Sequence, residues 1–176
     1  IELEHPNPVP RPPSEIGMEY KDKQEVHIRL GHQGNTEGIW LIRGQTDGPV
    51  LNAILDDEHC TRTREAAMGY MYFNVADPFF FDDDGKLEIE YTYWDDGHAW
   101  HALHYDSHDP NATLSGAYKS TQAISCKNTE KWVTNKITLE DPRFVNRENG
   151  GSDFRFAVSD GWLAIKQITI RKLSGI

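Results

Sequence analysis

Apolar and polar residues alternate over short stretches along most of the chain. The clearest stretch is 86–94, KLEIEYTYW, with Leu87, Ile89, Tyr91 and Tyr93 on one face and Glu88, Glu90, Thr92 and Trp94 on the other. Successive side chains of a β-strand point to opposite faces of the sheet, so this pattern predicts a strand with one buried and one solvated face. The stretches 68–77 and 98–106 are equally rich in β-branched and aromatic residues, and Asp and Gly separate the three. We therefore predict that they form an antiparallel meander.

Further short stretches of the same kind follow or precede this meander. They are 24–30, 38–43, 50–55, 117–125, 132–139, 153–158 and 163–173, the last with a β-bulge expected near 164–166. No window has a sustained period of 3.6 residues with capping residues, so we expect essentially no helix. About ten short strands separated by Gly, Pro, Asn and Asp predict an all-β fold, an antiparallel β-sandwich of the jelly-roll type.

The first 17 residues differ from the rest because they are rich in proline. Pro6, Pro8, Pro10, Pro12 and Pro13 are five of the nine prolines in the sequence. Such a run favours extended polyproline geometry and is poor at forming a sheet ladder, so we interpret 1–17 as a linker and 18–176 as a single domain. The chain begins with Ile1, so we expect it to be a module cut from a longer protein, with a catalytic domain of the same parent chain as its neighbour.

Charge and hydropathy exclude two classes of partner. The formal net charge is -10 and the 18 Lys and Arg residues form no dense block, so the main attraction for nucleic acid is missing. No apolar run approaches the roughly 20 residues that a membrane-spanning helix needs. We therefore expect neither a nucleic-acid partner nor a membrane-spanning segment.

The two cysteines leave two alternatives open. Cys60 and Cys126 are either joined in one long-range disulfide or buried as separate thiols. Their spacing does not distinguish these alternatives.

Two clusters of loop carboxylates suggest a hard cation. Asp56 and Asp57 follow the stretch 50–55, and Asp82 and Asp84 precede Gly85 and the stretch 86–94. Carboxylates in loops, together with backbone carbonyls, suit Ca²⁺, so we predict a structural calcium ion with these four residues as candidate ligands. The alternative is that they are solvated turn residues, because Asp is favoured in turns.

The turn after 86–94 carries an unusual mixture of side chains. Two large rings stand beside two carboxylates and an imidazole: Trp94, Asp95, Asp96, His98 and Trp100. Sugar rings stack their C–H faces on aromatic rings, and their hydroxyls pair with planar polar groups, so this mixture suits a glycan. Trp40 and Trp162 compete for the same role, whereas Trp132 is predicted to be mostly core.

Two segments resemble the accessory β-sandwich modules of bacterial polysaccharide-degrading enzymes. One is the meander; the other, 131–172, has a W-x-T strand, an F-x-N-R-x-N-G-G loop and a D-F-R strand before the last strand. Phe144, Asn146, Arg147, Asn149, Gly150, Asp153, Phe154 and Arg155 carry the match. The resemblance implies a jelly-roll carbohydrate-binding module that is extracellular, often holds structural Ca²⁺ and has no catalytic residues of its own.

From this we predict a non-catalytic module that targets a secreted parent enzyme to its polysaccharide. The predicted ligand-binding residues are Trp94, Asp95, Asp96, His98, Trp100, Arg147, Asn149 and Trp162. Arg147 is expected to read a sugar carboxylate, the alternative being that it holds its own loop through Glu148 or Asp153. Two other functions stay open: a small lyase or glycosidase that uses Glu88 or Glu90, and a structural domain that packs on a catalytic neighbour.

Overall fold

The computed structural model describes residues 7–174. Its strands are β1 (Glu25–Arg29), β2 (Asn35–Glu37), β3 (Ile39–Ile42), β4 (Val50–Leu55), β5 (Glu58–Thr63), β6 (Ala66–Val75), β7 (Lys86–Asp95), β8 (Trp100–Tyr105), β9 (Lys119–Ser120), β10 (Ile124–Ser125), β11 (Lys131–Leu139), β12 (Phe154–Gly161) and β13 (Ala164–Leu173). Single 3₁₀ turns lie at Met18–Tyr20, Thr113–Gly116 and Asn149–Gly151. No helix in this part of the chain is long and apolar enough to cross a membrane.

The strands form two antiparallel sheets. The first sheet has the order β11-β7-β13-β1-β2, with β5 paired to β13 and β4 to β5. The second has the order β10-β8-β12-β6-β3, with β9 paired to β8. The predicted all-β class and antiparallel β-sandwich are therefore confirmed.

The predicted meander is wrong in its pairing. β7 lies in the first sheet between β11 and β13, whereas β6 and β8 lie in the second sheet on either side of β12. The chain crosses from one sheet to the other between β6 and β7 and crosses back between β7 and β8. Each strand buries one apolar face, and two facing sheets satisfy that requirement as well as one continuous meander would.

The core lies between the inner faces of the two sheets. The side chains predicted for the buried face of β7, from Leu87 to Tyr93, are all buried. Tyr91 of the first sheet meets Phe156 of the second with ring centroids 4.8 Å apart. The alternation of residues therefore predicted the faces of the strands correctly, although it did not predict their neighbours.

Local details agree in part with the sequence-based expectations. The register between β13 and β7 shifts between Ile165 and Gln167, which confirms the expected bulge. The stretch 117–125 forms two strands of two residues each, β9 and β10, instead of one longer strand. β5 was not predicted, because the acidic residues that begin it resemble the end of a strand.

Part of the proline-rich segment contacts the sandwich. The backbone N–H of Arg11 donates to the carbonyl of Val145 at 3.0 Å, and the N–H of Ser14 donates to Oδ2 of Asp77 at 2.7 Å. Residues 1–6 of the predicted linker lie outside the described residues. The boundary at residue 18 stays a prediction.

Both cysteines are buried free thiols. Cys60 donates a weak hydrogen bond to the carbonyl of Ala53 at 3.5 Å. Burial raises the pKa of each thiol to about 11. Of the two alternatives left open by the sequence, the structure has the separate thiols.

We expect both thiols to be unreactive in the folded protein. At pH 8 a thiol with a pKa near 11 is about one part in a thousand thiolate, and its burial blocks the reagent as well. A thiol-specific dye should label neither cysteine in buffer and both in urea under non-reducing conditions. Rapid labelling in buffer would contradict the burial, and no labelling in urea would indicate a disulfide.

Candidate functional site

Three rows of side chains cross the outer face of the second sheet, where β8, β12 and β6 lie side by side. Residues directly opposite one another on neighbouring strands share a face, so the register sets the rows. In order along β8, the rows are Trp100, Ser159 and Met68; Ala102, Ala157 and Tyr70; and His104, Arg155 and Tyr72. The residues between them, such as Leu103 and Phe156, point inward and are fully buried.

The middle row is low, because two of its three side chains are the methyl groups of Ala102 and Ala157. Trp100 and Met68 stand on one side of it, and His104 stands on the other. Consecutive rows are two residues apart, so the outer rows are about 13 Å from each other. The face therefore carries an open groove of about 160 Å³ whose floor is made of alanine.

The wall formed by Trp100 and Met68 is unusually apolar for a surface. The two side chains are 49% and 52% exposed. Within residues 7–174, Trp100 is the one aromatic side chain that is largely exposed. Covering a side chain of this size is worth about 1.5–3 kcal/mol, and adjacent exposed apolar groups mark interaction sites. This wall can therefore supply much of the affinity for a ligand in the groove.

The opposite wall is polar and positively charged. The guanidinium of Arg155 lies between the rings of Tyr70 and Tyr118, 4.0 and 4.2 Å from their centroids. Its Nε donates to Nδ1 of His104 at 3.0 Å, and its Nη1 donates to the Tyr72 hydroxyl at 3.0 Å. Burial, together with the Arg155 charge, lowers the pKa of His104 to about 4. The imidazole is therefore neutral at pH 7, and because its Nδ1 accepts, its Nε2 carries the proton.

Asn149 supports this wall from behind. Its Nδ2 donates to the Tyr72 hydroxyl at 3.1 Å, and its Oδ1 accepts from the Tyr118 hydroxyl at 2.9 Å. The Tyr72 hydroxyl donates in turn to Oδ2 of Asp47 at 2.9 Å. Asn149, predicted as a ligand contact, is thus placed where it positions the two tyrosines next to Arg155.

The predicted cluster at the turn after β7 is divided between the two sheets. Trp94 lies on the outer face of the first sheet, with its ring centroid 5.2 Å from that of Trp132. Trp100 lies on the outer face of the second sheet. Trp132, predicted to be mostly core, is a partly exposed member of the outer face. The two tryptophans that are close in sequence therefore do not form one site.

The side chain of Asp95, the last residue of β7, lies inside the loop that follows β10. Its side chain is 2% exposed and accepts hydrogen bonds from the backbone of Lys127 at 2.7 Å and from the backbone and hydroxyl of Thr129. Burial alone would raise the pKa of Asp95, but these hydrogen bonds outweigh burial and lower it. Asp95 therefore holds a loop and does not lie where a sugar would meet it.

The remaining predicted contacts of this group lie at the periphery. His98 is exposed and Asp96 partly exposed at the turn, where the N–H of Gly97 donates to Oδ1 of Asn128 at 2.8 Å. Trp162, between β12 and β13, is partly buried with the Arg62 guanidinium 3.9 Å above its ring. The structure does not bring these residues into the groove.

Arg147 belongs to the interior of the protein. Its Nε donates to Oδ1 of Asp106 at 2.8 Å, and its Nη2 lies 2.7 Å from the same oxygen. Its other donors reach the carbonyls of Ser107 and Ser115 at 2.8 and 3.2 Å. Both partners of this ion pair are buried, so the prediction that Arg147 reads a ligand is corrected: Arg147 fixes the loop from inside, although through Asp106 and not through Glu148 or Asp153.

The rest of the sequence motif is also internal. Asp153 is fully buried and accepts from the backbone N–H groups of Val75 and Asn146 at 2.9 and 3.0 Å. Asn146 donates through Nδ2 to Asp77 at 2.9 Å. Burial raises the pKa of Asp153 well above its usual range. The motif thus describes a buried polar network that joins the 144–153 loop to β6, and Arg155 is the motif residue that lies opposite His104, at the edge of the groove.

The four candidate calcium ligands lie in two separate turns. Asp56 and Asp57 have positive φ angles of 49° and 60° and form the two-residue β4–β5 hairpin turn, which favours Asp for conformational reasons. Asp82 is paired with Nε of Arg143 at 2.8 Å, and Asp84 is exposed. Among residues 7–174, no group of three or more His, Cys, Asp or Glu side chains is arranged to hold a metal ion. These donors do not by themselves fit Ca²⁺, and calcium stays a sequence-based prediction.

The carboxylates of the enzyme alternative are held in ion pairs. Glu88 and Glu90, on the outer face of the first sheet, lie 3.2 and 3.5 Å from the guanidinium of Arg171. Lys136 lies 3.5 Å from Glu90. The described residues that line the groove include no Asp or Glu, whereas glycosidases of the usual type need a pair of carboxyl groups at the bond they cleave.

When this chain is compared with known proteins, it matches them in fold and not in sequence. No family model and no curated protein matches the sequence. A structure of the CBM22-1 and GH10 modules of the Clostridium thermocellum endo-1,4-β-D-xylanase 10B, complexed with xylohexaose, is 10% identical, with 86% of this chain and 29% of that chain covered and a TM-score of 0.54. The K1 cleaved adhesin domain of Lys-gingipain from Porphyromonas gingivalis is 12% identical, with 85% and 99% covered and a TM-score of 0.50.

The chain has the fold of a carbohydrate-binding module. The CBM22-1 xylan-binding domain of the Paenibacillus barcinonensis xylanase is another such structure, at 10% identity, with 85% and 94% of the chains covered and a TM-score of 0.47. The xylanase structure with the TM-score of 0.54 confirms the resemblance seen in the sequence at the level of the fold. An adhesin domain shares this fold, so the ligand has to be argued from the groove itself.

The sequence did not single out Met68, Tyr70, Tyr72 and Arg155 as functional. The alternation in β8 did place His104 on the face of Trp100. The missing information was that β12 and β6 lie beside β8, which brings Arg155 next to His104 and Met68 into the row of Trp100. The two alanines of the floor were a local signal, because Ala is uncommon on an exposed strand face.

Proposed function

We propose that this chain is a non-catalytic carbohydrate-binding module and that the groove across β8, β12 and β6 binds a polysaccharide chain. The observation that carries the proposal is the exposed ring of Trp100 beside a floor of alanine, facing a wall of polar donors. A sugar ring has an apolar face and a hydroxylated rim, so it suits a site in which one wall is aromatic and the other donates hydrogen bonds. A solved xylanase structure that contains a CBM22-1 module shares this fold, but the groove and not the fold carries the assignment of the ligand class.

The module acts by holding a parent enzyme on its substrate. The proline-rich stretch at the start of the chain suits a spacer to such a neighbour. The parent is a secreted polysaccharide-degrading enzyme, since polysaccharides of this kind are met outside the cell. The module itself contributes affinity through Trp100 and Met68, and orientation through the N–H donors of His104 and Arg155.

Affinity electrophoresis through gels that contain one polysaccharide each tests this function. Suitable polymers are xylan, lichenan and laminarin, together with glucuronoxylan, polygalacturonate and alginate. Release of reducing sugar is followed in the same samples. Retardation without product supports the proposal, product supports an enzyme, and neither result on any polymer would contradict carbohydrate binding and favour a structural domain.

Trp100→Ala should weaken binding to the retarding polymer about tenfold or more, because the ligand loses the ring that it covers. The melting temperature should stay close to that of the wild type, since the ring is about half exposed. Trp94→Ala is the matched control: it removes a ring six positions away in sequence but on the opposite sheet. Equal loss of binding in both variants, or loss in Trp94→Ala alone, would place the site on another face.

A further inference from the structure

The charge of Arg155 is not neutralised by direct contact with a carboxylate. Arg143, Arg147 and Arg171 each lie within 4.0 Å of an Asp or Glu oxygen, whereas Arg155, like the stacked Arg62, has no such partner among residues 7–174. Its side chain is nevertheless only partly exposed. Hydrogen bonds and stacked rings offset part of the cost of burying this charge, and a carboxylate supplied by a ligand would offset more of it.

The surroundings of Arg155 fix the direction from which a partner can come. Tyr70 and Tyr118 cover the two faces of the guanidinium at 4.0 and 4.2 Å, so a hydrogen-bond acceptor has to approach in the plane of the group. His104 and Tyr72 accept two of its five N–H groups. Within residues 7–174 the other three N–H groups, one on Nη1 and two on Nη2, have no hydrogen-bond partner, and four side chains hold the guanidinium in place.

Two acidic side chains lie near Arg155 without pairing with it. Asp47 is separated from Arg155 by the Tyr72 hydroxyl, to which both are hydrogen-bonded. Glu148 is buried, and burial raises its pKa well above the usual range, which favours its neutral form. The lining of the groove itself contains no Asp or Glu among the described residues. Neither carboxylate therefore contacts the guanidinium of Arg155 directly.

We propose that the groove selects an acidic polysaccharide, and that a sugar carboxylate pairs with the free edge of Arg155 beside the Nε2–H of His104. This inference rests on the proposed function and adds the charge class of the ligand. A uronate suits the site because its planar carboxylate matches the in-plane N–H groups of a guanidinium. At a net charge of -10 the long-range field does not attract such a polymer, and at physiological salt it is screened over about 8 Å, so contact with Arg155 decides the selection.

Binding of an acidic polymer and of its carboxyl-reduced form tests the inference. Glucuronoxylan, polygalacturonate and alginate are each compared with their reduced forms, first with the wild type. Of the acidic polymers, we expect the one that the wild type binds to be bound at least tenfold more tightly than its reduced form. We expect this preference to fall as the NaCl concentration is raised. Equal affinity for both forms would overturn the inference and leave the proposed function standing, whereas binding to no polymer, acidic or neutral, would overturn the proposed function.

The Arg155→Gln variant tests whether Arg155 is responsible for the preference for the acidic polymer. We expect this variant to lose the preference for the acidic form, so that it binds the acidic and the reduced polymer with equal affinity. The matched control is Arg62→Gln, because Arg62 is also stacked on an aromatic ring, that of Trp162 at 3.9 Å, but away from the groove. If Arg155→Gln does not fold, Arg155→Lys retains the charge without the planar edge and should discriminate less than the wild type. Undiminished discrimination in the folded variant would overturn the role of Arg155.

Discussion

Replacement of Arg147 by alanine is expected to lower the free energy of unfolding by about 3–5 kcal/mol. Asp106, the carboxylate that Arg147 holds, is 0% exposed, and Arg147 itself is 8% exposed. Removal of the guanidinium leaves a buried carboxylate whose donors within residues 7–174 are the backbone N–H groups of Val145 and Arg147. It also leaves the carbonyls of Ser107 and Ser115 without the donors that they have now. The total free energy of unfolding of a small domain is about 5–15 kcal/mol, so this loss is severe.

Urea unfolding of the wild type, Arg147→Ala and Arg171→Ala measures the effect. Arg171→Ala is the control, because it removes a guanidinium that pairs with Glu25 and Glu88 on the protein surface. Exposed ion pairs contribute about 0–1 kcal/mol, so the control should unfold close to the wild-type midpoint. An Arg147→Ala protein as stable as this control would contradict the structural role of Arg147 and return it to the set of candidate ligand contacts.

The contrast between Arg147 and Arg155 shows where sequence reasoning about the site succeeded and failed. Both arginines lie in or beside the Gly-rich motif, and the sequence favoured Arg147 because a guanidinium in the loop with Asn146 and Asn149 suits a sugar carboxylate. The 144–153 loop is instead tied into the body by Asp106 and Asp153, two carboxylates that lie far apart in sequence. Arg155 alternates with the buried Phe154 and Phe156, which is the local signal that its side chain faces outward.

The fold was predictable to the level of strands and faces. Period-two alternation is a local property, and β7 shows it without exception on its buried side. The partners of a strand are a non-local property: β12 lies between β8 and β6 although it follows them by some fifty residues or more. The connection between β6 and β7 carried one available signal, because it contains the apolar residues Phe79 and Phe80, which are buried and do not belong in a tight hairpin.

The site could not be assembled from proximity in sequence for the same reason. Trp94 and Trp100 are separated by one turn, yet that turn crosses from one sheet to the other. Met68 and Arg155 are distant in sequence from β8, yet Arg155 lies directly opposite His104, and Met68 lies in the row of Trp100 with Ser159 between them. Residues that bind one ligand across a sheet come from several strands, so their grouping depends on strand order, which the residue pattern does not contain.

Filling the groove is expected to abolish carbohydrate binding while the fold survives. Ala102 lies on the groove floor with its side chain directed outward, opposite Ala157. A tryptophan at position 102 would occupy the space between Trp100 and His104, and because that space is open to solvent, no core side chain has to move. We expect the affinity to fall at least about a hundredfold, which is about 2.7 kcal/mol, because the ligand can no longer reach either wall.

The control is Thr138→Trp, which adds the same ring to an exposed position on the outer face of the first sheet, opposite Glu88. Both variants should melt within a few degrees of the wild type. This comparison separates occlusion of the groove from any general effect of adding a large apolar side chain.

The measurement that tests the central claim most directly is the affinity of the wild type, Ala102→Trp and Thr138→Trp for the polysaccharide that retards the wild type most in gels. The groove account predicts that Ala102→Trp migrates as it does without polymer and that Thr138→Trp is retarded like the wild type. Retardation of Ala102→Trp equal to that of the wild type would contradict the account, because the ligand would then be bound outside the groove.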